Sequence, residues 1–150
     1  MVIRAYDEEY VSGAQRILGD AVGFAVMSLG LDPVLFGNAF AVSESSKQFA
    51  AGNPRYVAGM NGCELARKVL TETKVSFEDT EDEMFIDKSP EYWAGWVLAY
   101  YQWLTCRSFA YMHKKGLGIS EVVAMYYPLH EADLSRFAAA ADDIILRNKS

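Results

Sequence analysis

The feature that most constrains this chain is a long, nearly all-apolar helix pattern that begins at Ser89-Pro90-Glu91 and holds all three tryptophans. Serine is a favoured N-cap, proline fits the first helical position, and an acid in the first turn complements the helix dipole. The pattern predicts one helix over about 90–115, where Lys114-Lys115 and then Gly116 supply a C-terminal stop. A helix with so few polar positions is normally surrounded by other elements. We therefore expect this aromatic-rich helix to lie at the centre of the fold.

Shorter helix patterns lie on both sides of this central one. The first spans about 7–29 and carries one apolar stripe at helical spacing. Asp32-Pro33 and Asn53-Pro54 each combine a capping residue with a proline at the first helical position, so each predicts a helix start. The sequence predicts an all-α fold, in which residues 1–150 form a single compact helical domain of about six or seven helices.

The segment from about 74 to 87 is the least helical part of the chain. Val75 and Phe77 alternate with polar residues, acids follow, and Met84-Phe85-Ile86 ends the segment. Alternation of this kind is typical of a strand. A small β-hairpin with an acidic tip and an irregular loop are equally compatible with the sequence.

Composition narrows the class of protein. An apolar fraction of 51% in 150 residues predicts a packed core rather than disorder. The net charge of −6 argues against a nucleic-acid partner, because such proteins normally present a basic face. The longest nearly apolar run, 92–104, is too short to cross a bilayer, and no signal peptide pattern opens the chain. We expect a cytoplasmic protein with neither a membrane nor a nucleic-acid partner.

An aromatic stripe on the central helix is the first candidate site. Trp93, Trp96, Tyr100 and Arg107 recur at intervals that place them on one helix face. Such a wall of rings that ends in a guanidinium can bind a flat or anionic ligand through stacking and cation–π contacts. The alternative interpretation is that the rings form the core, and we favour it because the helix has so few polar positions.

The pair His130-Glu131 is the second candidate. His130 shares a predicted helix face with Leu134 and Phe137, so its ring is expected to point inward. A half-buried histidine beside Glu131 and Asp133 can act as a general base, although a structural, hydrogen-bonded histidine is the favoured interpretation. No nucleophile or Glu-x-x-His pair accompanies it. The sequence thus predicts no catalytic residue, no metal site and no cofactor.

An acidic run is the third candidate, as a surface for a protein partner. Clustered acids can steer and complement a basic partner, and apolar neighbours add contact area. The other interpretation is a solvated loop tip. The residues of this predicted partner surface are Glu78, Asp79, Glu81, Asp82, Glu83 and Phe85.

Three stretches resemble a small, uncharacterised all-helical family of gut-dwelling Gram-positive bacteria. They are 5–10, then Ser89–Trp96 with 99–103, and finally 119–121 through Tyr126 to 130–133. Genes of the family that this chain resembles lie beside small genes that resemble those of ADP-ribosyltransferase toxins. The resemblance implies an antitoxin or immunity role and identifies no catalytic residues in this sequence.

These patterns leave two functional hypotheses. The leading one is a non-enzymatic protein-interaction module that binds a protein partner or a second copy of the chain. The alternative is a small-molecule-binding protein or an enzyme, with an aromatic pocket that ends at Arg107 and His130. A solvent-connected cavity that reaches both residues would favour the alternative, whereas tight packing there would exclude it.

Overall fold

The computed structural model of the chain describes residues 2–83 and 88–148, and every regular element in those ranges is helical. The predicted all-α class is therefore confirmed. The described ranges contain ten α-helices, more than the six or seven expected, because five of them have seven residues or fewer. In chain order they are α1 (Val11–Gly23), α2 (Pro33–Val42), α3 (Glu44–Ala50), α4 (Pro54–Val57), α5 (Gly62–Glu72), α6 (Pro90–Thr105), α7 (Phe109–Lys114), α8 (Ile119–Val123), α9 (Tyr126–Leu129) and α10 (Leu134–Arg147).

The first predicted helix has the expected extent, but it consists of three successive helix types: 3₁₀, α and π. A 3₁₀ turn, Glu8–Tyr10, leads into α1, and a π-helical turn, Phe24–Ser28, continues it. Oδ1 of Asp7 accepts a 3.0 Å hydrogen bond from the backbone N–H of Glu9, which caps the start. Gly30 ends the run with a φ of 71°, a left-handed conformation that glycine adopts at little cost.

Helices α1 and α6 pack closely at the centre of the molecule. A Cβ atom on Gly95 would overlap the carbonyl oxygen of Leu18, so only glycine permits this separation of the two backbones. On the facing helix, a Cβ atom on Gly19 would lie 2.8 Å from the ring of Tyr92. The α1–α6 crossing is thus built on backbone contact, and the other helices pack around it.

Helix α6 begins where the sequence predicts and ends about ten residues earlier. Oγ of Ser89 accepts a 3.0 Å hydrogen bond from the N–H of Tyr92, which is the expected cap. The helix stops at Thr105, because Cys106 adopts a left-handed conformation with a φ of 62°. Ser108 then caps α7 by accepting a 3.1 Å bond from the N–H of Tyr111. The prediction of one helix to residue 115 is wrong, since this internal serine cap starts a second helix.

Aromatic rings dominate the buried interior. The rings of Phe40 and Phe109 meet edge to face with centroids 4.8 Å apart, which ties α2 to α7. The ring of Trp93 meets that of Phe137 in the same manner at 5.7 Å, which ties α6 to α10. Among the described residues, five aromatic side chains bury essentially all of their surface: Tyr101, Phe24, Phe36, Phe49 and Phe137. The aromatic helix is accordingly surrounded on most of its faces, as its composition predicts.

The chain between α5 and α6 contains no strand over its described residues, 74–83. The remainder of the predicted hairpin, residues 84–87, lies outside the described ranges. Among the helices that the structure describes, none is both long and apolar enough to cross a membrane.

Candidate functional site

An open groove lies between the first half of α6 and α9, and we call it the aromatic groove. Its volume is about 210 Å³. It brings together three of the residues singled out from the sequence, Trp93, Trp96 and His130, with three others that are Lys88, Tyr92 and Tyr126.

The two tryptophans have different roles in this groove. Trp93 is only 8% exposed, and its ring meets those of Tyr126 and Phe137 edge to face at 5.8 and 5.7 Å. Trp96, one turn further along α6, is half-buried. Trp93 is therefore mainly a core residue that forms the floor, whereas Trp96 leaves part of its ring accessible.

His130 is held by Tyr126 on the opposite side of the groove. The two rings stack with centroids 4.1 Å apart and an interplanar angle of 11°. Nδ1 of His130 lies 2.8 Å from the backbone oxygen of Tyr126. A carbonyl oxygen can only accept, so Nδ1 is the donor in this contact. Nε2 lies 3.7 Å from Oε1 of Glu131.

This arrangement corrects the expected position of His130. The sequence pattern placed its ring on the inward face of the last helix, together with Leu134 and Phe137. In the structure α10 begins only at Leu134, with Asp133 as its cap, and His130 ends α9 instead. Its ring is half-buried against Tyr126 rather than turned into the core.

Three other predicted ligand-binding residues are not part of the lining of the aromatic groove. Tyr100 lines a different cleft, described below. Arg107 lies in the break between α6 and α7, with its guanidinium 5.6 Å above the ring of Tyr111. The side chain of Glu131 is 89% exposed. The groove therefore reaches His130 but not Arg107, because it lies along the first half of α6, whereas Arg107 follows the end of that helix.

Three groove residues are not among the candidates that the sequence pattern identifies: Lys88, Tyr92 and Tyr126. Nζ of Lys88 lies 4.4 Å from the ring centroid of Tyr92. Burial and, to a smaller degree, the charge of Asp20 raise the pKa of the Tyr92 phenol, so this hydroxyl stays protonated at neutral pH. Tyr126-Tyr127 beside Pro128 was the available signal for Tyr126, but an isolated tyrosine pair does not identify the face to which it belongs.

A second opening, which we call the N-terminal cleft, has a volume of about 530 Å³. It lies between the first residues of the chain, α1, the second half of α6 and the start of α10. Its polar and aromatic lining consists of Arg4, Glu8, Gln15, Tyr100 and Trp103, and its aliphatic lining of Val2, Val11, Leu104 and Leu134.

Part of the predicted acidic surface is bound to α5 by Arg67. Its Nε lies 2.8 Å from Oδ1 of Asp79 and its Nη1 lies 2.6 Å from Oδ1 of Asp82. Nη2 donates a 2.7 Å bond to the backbone oxygen of Thr80, and the guanidinium lies 4.9 Å from the ring centroid of Phe24. The Arg67 hydrogen bond holds the pKa of the Asp79 carboxyl below its usual range.

The remaining acids of this run face solvent. Glu78, Glu81 and Glu83 are exposed, whereas Asp79 and Asp82 have an internal cationic partner. Phe85, the apolar member of the predicted surface, lies outside the described residues. The run is thus a segment fastened along α5, with three outward glutamates.

Comparison of the chain with protein-family models, with curated proteins and with solved structures finds no match. Within residues 2–83 and 88–148, no three histidine, cysteine or acidic side chains converge in a way that could hold a metal ion. The candidate sites are therefore the aromatic groove, the N-terminal cleft and the outward glutamates, and each is assessed on its own geometry.

Proposed function

We propose that the protein is a non-enzymatic interaction module that binds a protein partner through the aromatic groove. The observation that carries this proposal is Tyr127, which is 82% exposed at the edge of the groove. Its ring lies edge to face against Tyr126 at 5.3 Å and His130 at 6.4 Å. An exposed aromatic side chain that is held in place by other rings is typical of the residues that dominate binding energy at protein interfaces.

The size of the groove supports a protein partner. Sites for small molecules usually enclose about 300–1,000 Å³ and bury most of the ligand. The aromatic groove has about 210 Å³, which suits one or two side chains of a larger partner. Trp96 and Tyr127 would then both contact that partner.

The finer proposal concerns the identity of the partner. The family resemblance favours a cytoplasmic antitoxin or immunity role, in which the partner is an ADP-ribosyltransferase-like toxin encoded by a neighbouring gene. The outward residues Glu78, Glu81 and Glu83 support a partner with a basic surface, since exposed charge accelerates the encounter of oppositely charged proteins.

Co-purification tests this proposal directly. The protein is expressed with the product of the neighbouring toxin-like gene, and association is measured by sedimentation and calorimetry at micromolar concentration. We expect a stable complex, and we expect Tyr127→Ala and Trp96→Ala each to weaken it by roughly tenfold or more, as for interface hot spots. Absence of association at these concentrations would contradict the toxin partner.

Tyr111→Ala is the matched control. Tyr111 is an exposed tyrosine on α7, outside the lining of the aromatic groove. Its replacement should leave the affinity unchanged if the groove is the binding surface. Equal losses for Tyr111→Ala and Tyr127→Ala would place the interface elsewhere. Thermal unfolding of each variant verifies that the fold is retained.

A further inference from the structure

The N-terminal cleft has the dimensions of a small-molecule site. Its volume of about 530 Å³ falls within the usual range for such sites, unlike the aromatic groove. It also differs in chemistry, because a cation, an acid and a buried amide line it together with two aromatic rings. A site of this kind has few polar groups, and their positions determine which ligand fits.

Arg4 supplies the cationic side of the cleft. Its Nη1 donates to the backbone oxygens of Leu104 at 3.2 Å and Ile3 at 3.3 Å, and its guanidinium lies 5.4 Å from the ring centroid of Trp103. These contacts fix the plane of the group. A guanidinium has five N–H donors, and only those on Nη1 bond to described residues, so Nε and Nη2 can still bind a carboxylate.

Gln15 supplies a fixed acceptor inside the cleft. The residue is only 5% exposed, and its Nε2 donates a 3.3 Å hydrogen bond to the backbone oxygen of Trp96. Its Oε1 accepts no hydrogen bond from the described residues and is not fully sealed from solvent. Because Gln15 lines the cleft, a donor from a ligand there would satisfy this oxygen. Glu8 adds an exposed carboxylate on the same lining.

The remaining walls are aromatic and aliphatic. The rings of Tyr100 and Trp103 lie 5.9 Å apart at an angle of 44°. Leu104 and Leu134 continue this apolar surface. A ligand that fills the cleft therefore needs an apolar body as well as its charged groups, since contact with these walls would supply most of the binding energy.

We infer that the N-terminal cleft binds small zwitterions with an apolar body, the class formed by apolar α-amino acids and their dipeptides. The ligand carboxylate binds the free guanidinium nitrogens of Arg4. The ligand ammonium donates to Oε1 of Gln15 and to the carboxylate of Glu8. The apolar side chain lies against Tyr100 and Trp103.

Titration with L-leucine and with leucyl-leucine tests the site on the intact chain. Binding is followed by tryptophan fluorescence, because Trp103 lines the cleft, and by backbone amide NMR shifts. We expect a saturable response to at least one of the two, and the stronger binder distinguishes a free amino acid from a dipeptide as the ligand. L-leucinamide lacks the carboxylate and N-acetyl-L-leucine lacks the ammonium, so each should bind roughly tenfold more weakly than L-leucine or not at all.

Single substitutions then assign the two charged contacts. Arg4→Gln should abolish the preference for L-leucine over L-leucinamide, and Glu8→Gln should reduce the preference over N-acetyl-L-leucine. The matched controls are Arg55→Gln and Glu9→Gln, which remove exposed charges of the same type outside the cleft lining. The controls should retain both preferences.

The inference is overturned if neither L-leucine nor leucyl-leucine gives a saturable response up to about 10 mM, where even millimolar ligands would be bound. It is equally overturned if binding occurs but survives Arg4→Gln and Glu8→Gln with both preferences intact. Neither outcome depends on a partner at the aromatic groove, so these experiments test the N-terminal cleft independently of the protein-interaction proposal.

Discussion

The hydroxyl of Tyr101 donates a 2.6 Å hydrogen bond to Oδ1 of Asp142, which joins the buried centre of α6 to the outer side of α10. Burial raises the pKa of this phenol above its ordinary value, and the bond to the Asp142 carboxylate adds to the effect. Both causes favour the neutral phenol in the folded state. This single contact therefore links the attachment of α10 to pH at the alkaline end of the scale.

Tyr101→Phe should lower the free energy of unfolding by about 1–3 kcal/mol, because it removes a hydrogen bond to a charged acceptor. Urea denaturation at neutral pH measures the loss. In the unmutated protein, the Tyr101 phenol loses its proton near its usual pKa of about 10 when the chain is unfolded, whereas it keeps the proton at this pH when the chain is folded. Stability should thus fall as pH rises above about 10, and Tyr101→Phe should flatten that decline. An unchanged alkaline limb would contradict this assignment.

Tyr6→Phe should have the opposite effect on stability. The hydroxyl oxygen of Tyr6 is sealed from solvent and has no hydrogen-bond partner among the described residues. A buried polar group without a partner costs on the order of 1–3 kcal/mol, so its removal should leave the free energy of unfolding unchanged or raise it by about 1 kcal/mol. The same urea experiment measures this change, and a loss comparable to that of Tyr101→Phe would show that the Tyr6 hydroxyl has a partner.

Gly95→Ala should destabilise the protein by more than about 3 kcal/mol, because the new methyl group would overlap the backbone of α1 at Leu18. Gly23→Ala is the matched control on α1. A Cβ atom there would meet no atom of the residues that the structure describes within 4 Å, so the substitution should stabilise the helix by about 0.5–1 kcal/mol. Thermal unfolding measures the stability of both variants, one altered at the α1–α6 crossing and one at a helical position with space for a methyl group. Similar changes in stability at the two sites would contradict the backbone contact.

Arg67→Gln should release the acidic segment without unfolding the protein. Exposed ion pairs contribute about 0–1 kcal/mol each, so global stability should change little. Glutamate-specific proteolysis at Glu78 and Glu81 should become faster, and Lys68→Gln, a neighbouring cation that pairs instead with Glu72, should not accelerate it.

Acid should release the same segment in the native protein. The lowered pKa of Asp79 means that its bond to Arg67 stabilises the attachment above the unfolded value near 3.8 and is lost as pH falls through the lower, folded value. Amide hydrogen exchange over 78–83 between pH 5 and pH 2, a range that extends well below the unfolded value, measures this release. Equal protection at both pH values would contradict the role of the carboxylate.

Local signals predicted the helix starts well, because caps act through contacts between near neighbours. Ser89, Asp32 and Asn53 each accept the hydrogen bond that their sequence pattern predicts. The end of α6 was not predictable in the same way, since a left-handed cysteine has no sequence signature. The stop signals near Lys114 and Gly116 are real, but they belong to α7.

The candidate sites were predicted less well than the fold, because they depend on which helices meet. The spacing from Trp93 to Arg107 predicts a single helix face, yet α9 covers its first part and the N-terminal residues flank Tyr100. Sequence spacing places residues on a helix face but does not state what packs against each part of it. Arg67 illustrates the same limit, since its partners lie twelve and fifteen residues further along the chain.

The break between α6 and α7 makes one position convenient for chemical labelling. Cys106 is an exposed free thiol, whereas Cys63 is buried, so a maleimide probe should attach at a single place on the unmodified chain. The labelled sulfur lies 3.9 Å from the backbone oxygen of Ile3, beside the N-terminal cleft. A spin label or fluorophore at this junction would report ligand occupancy and movement of the first residues from one native cysteine.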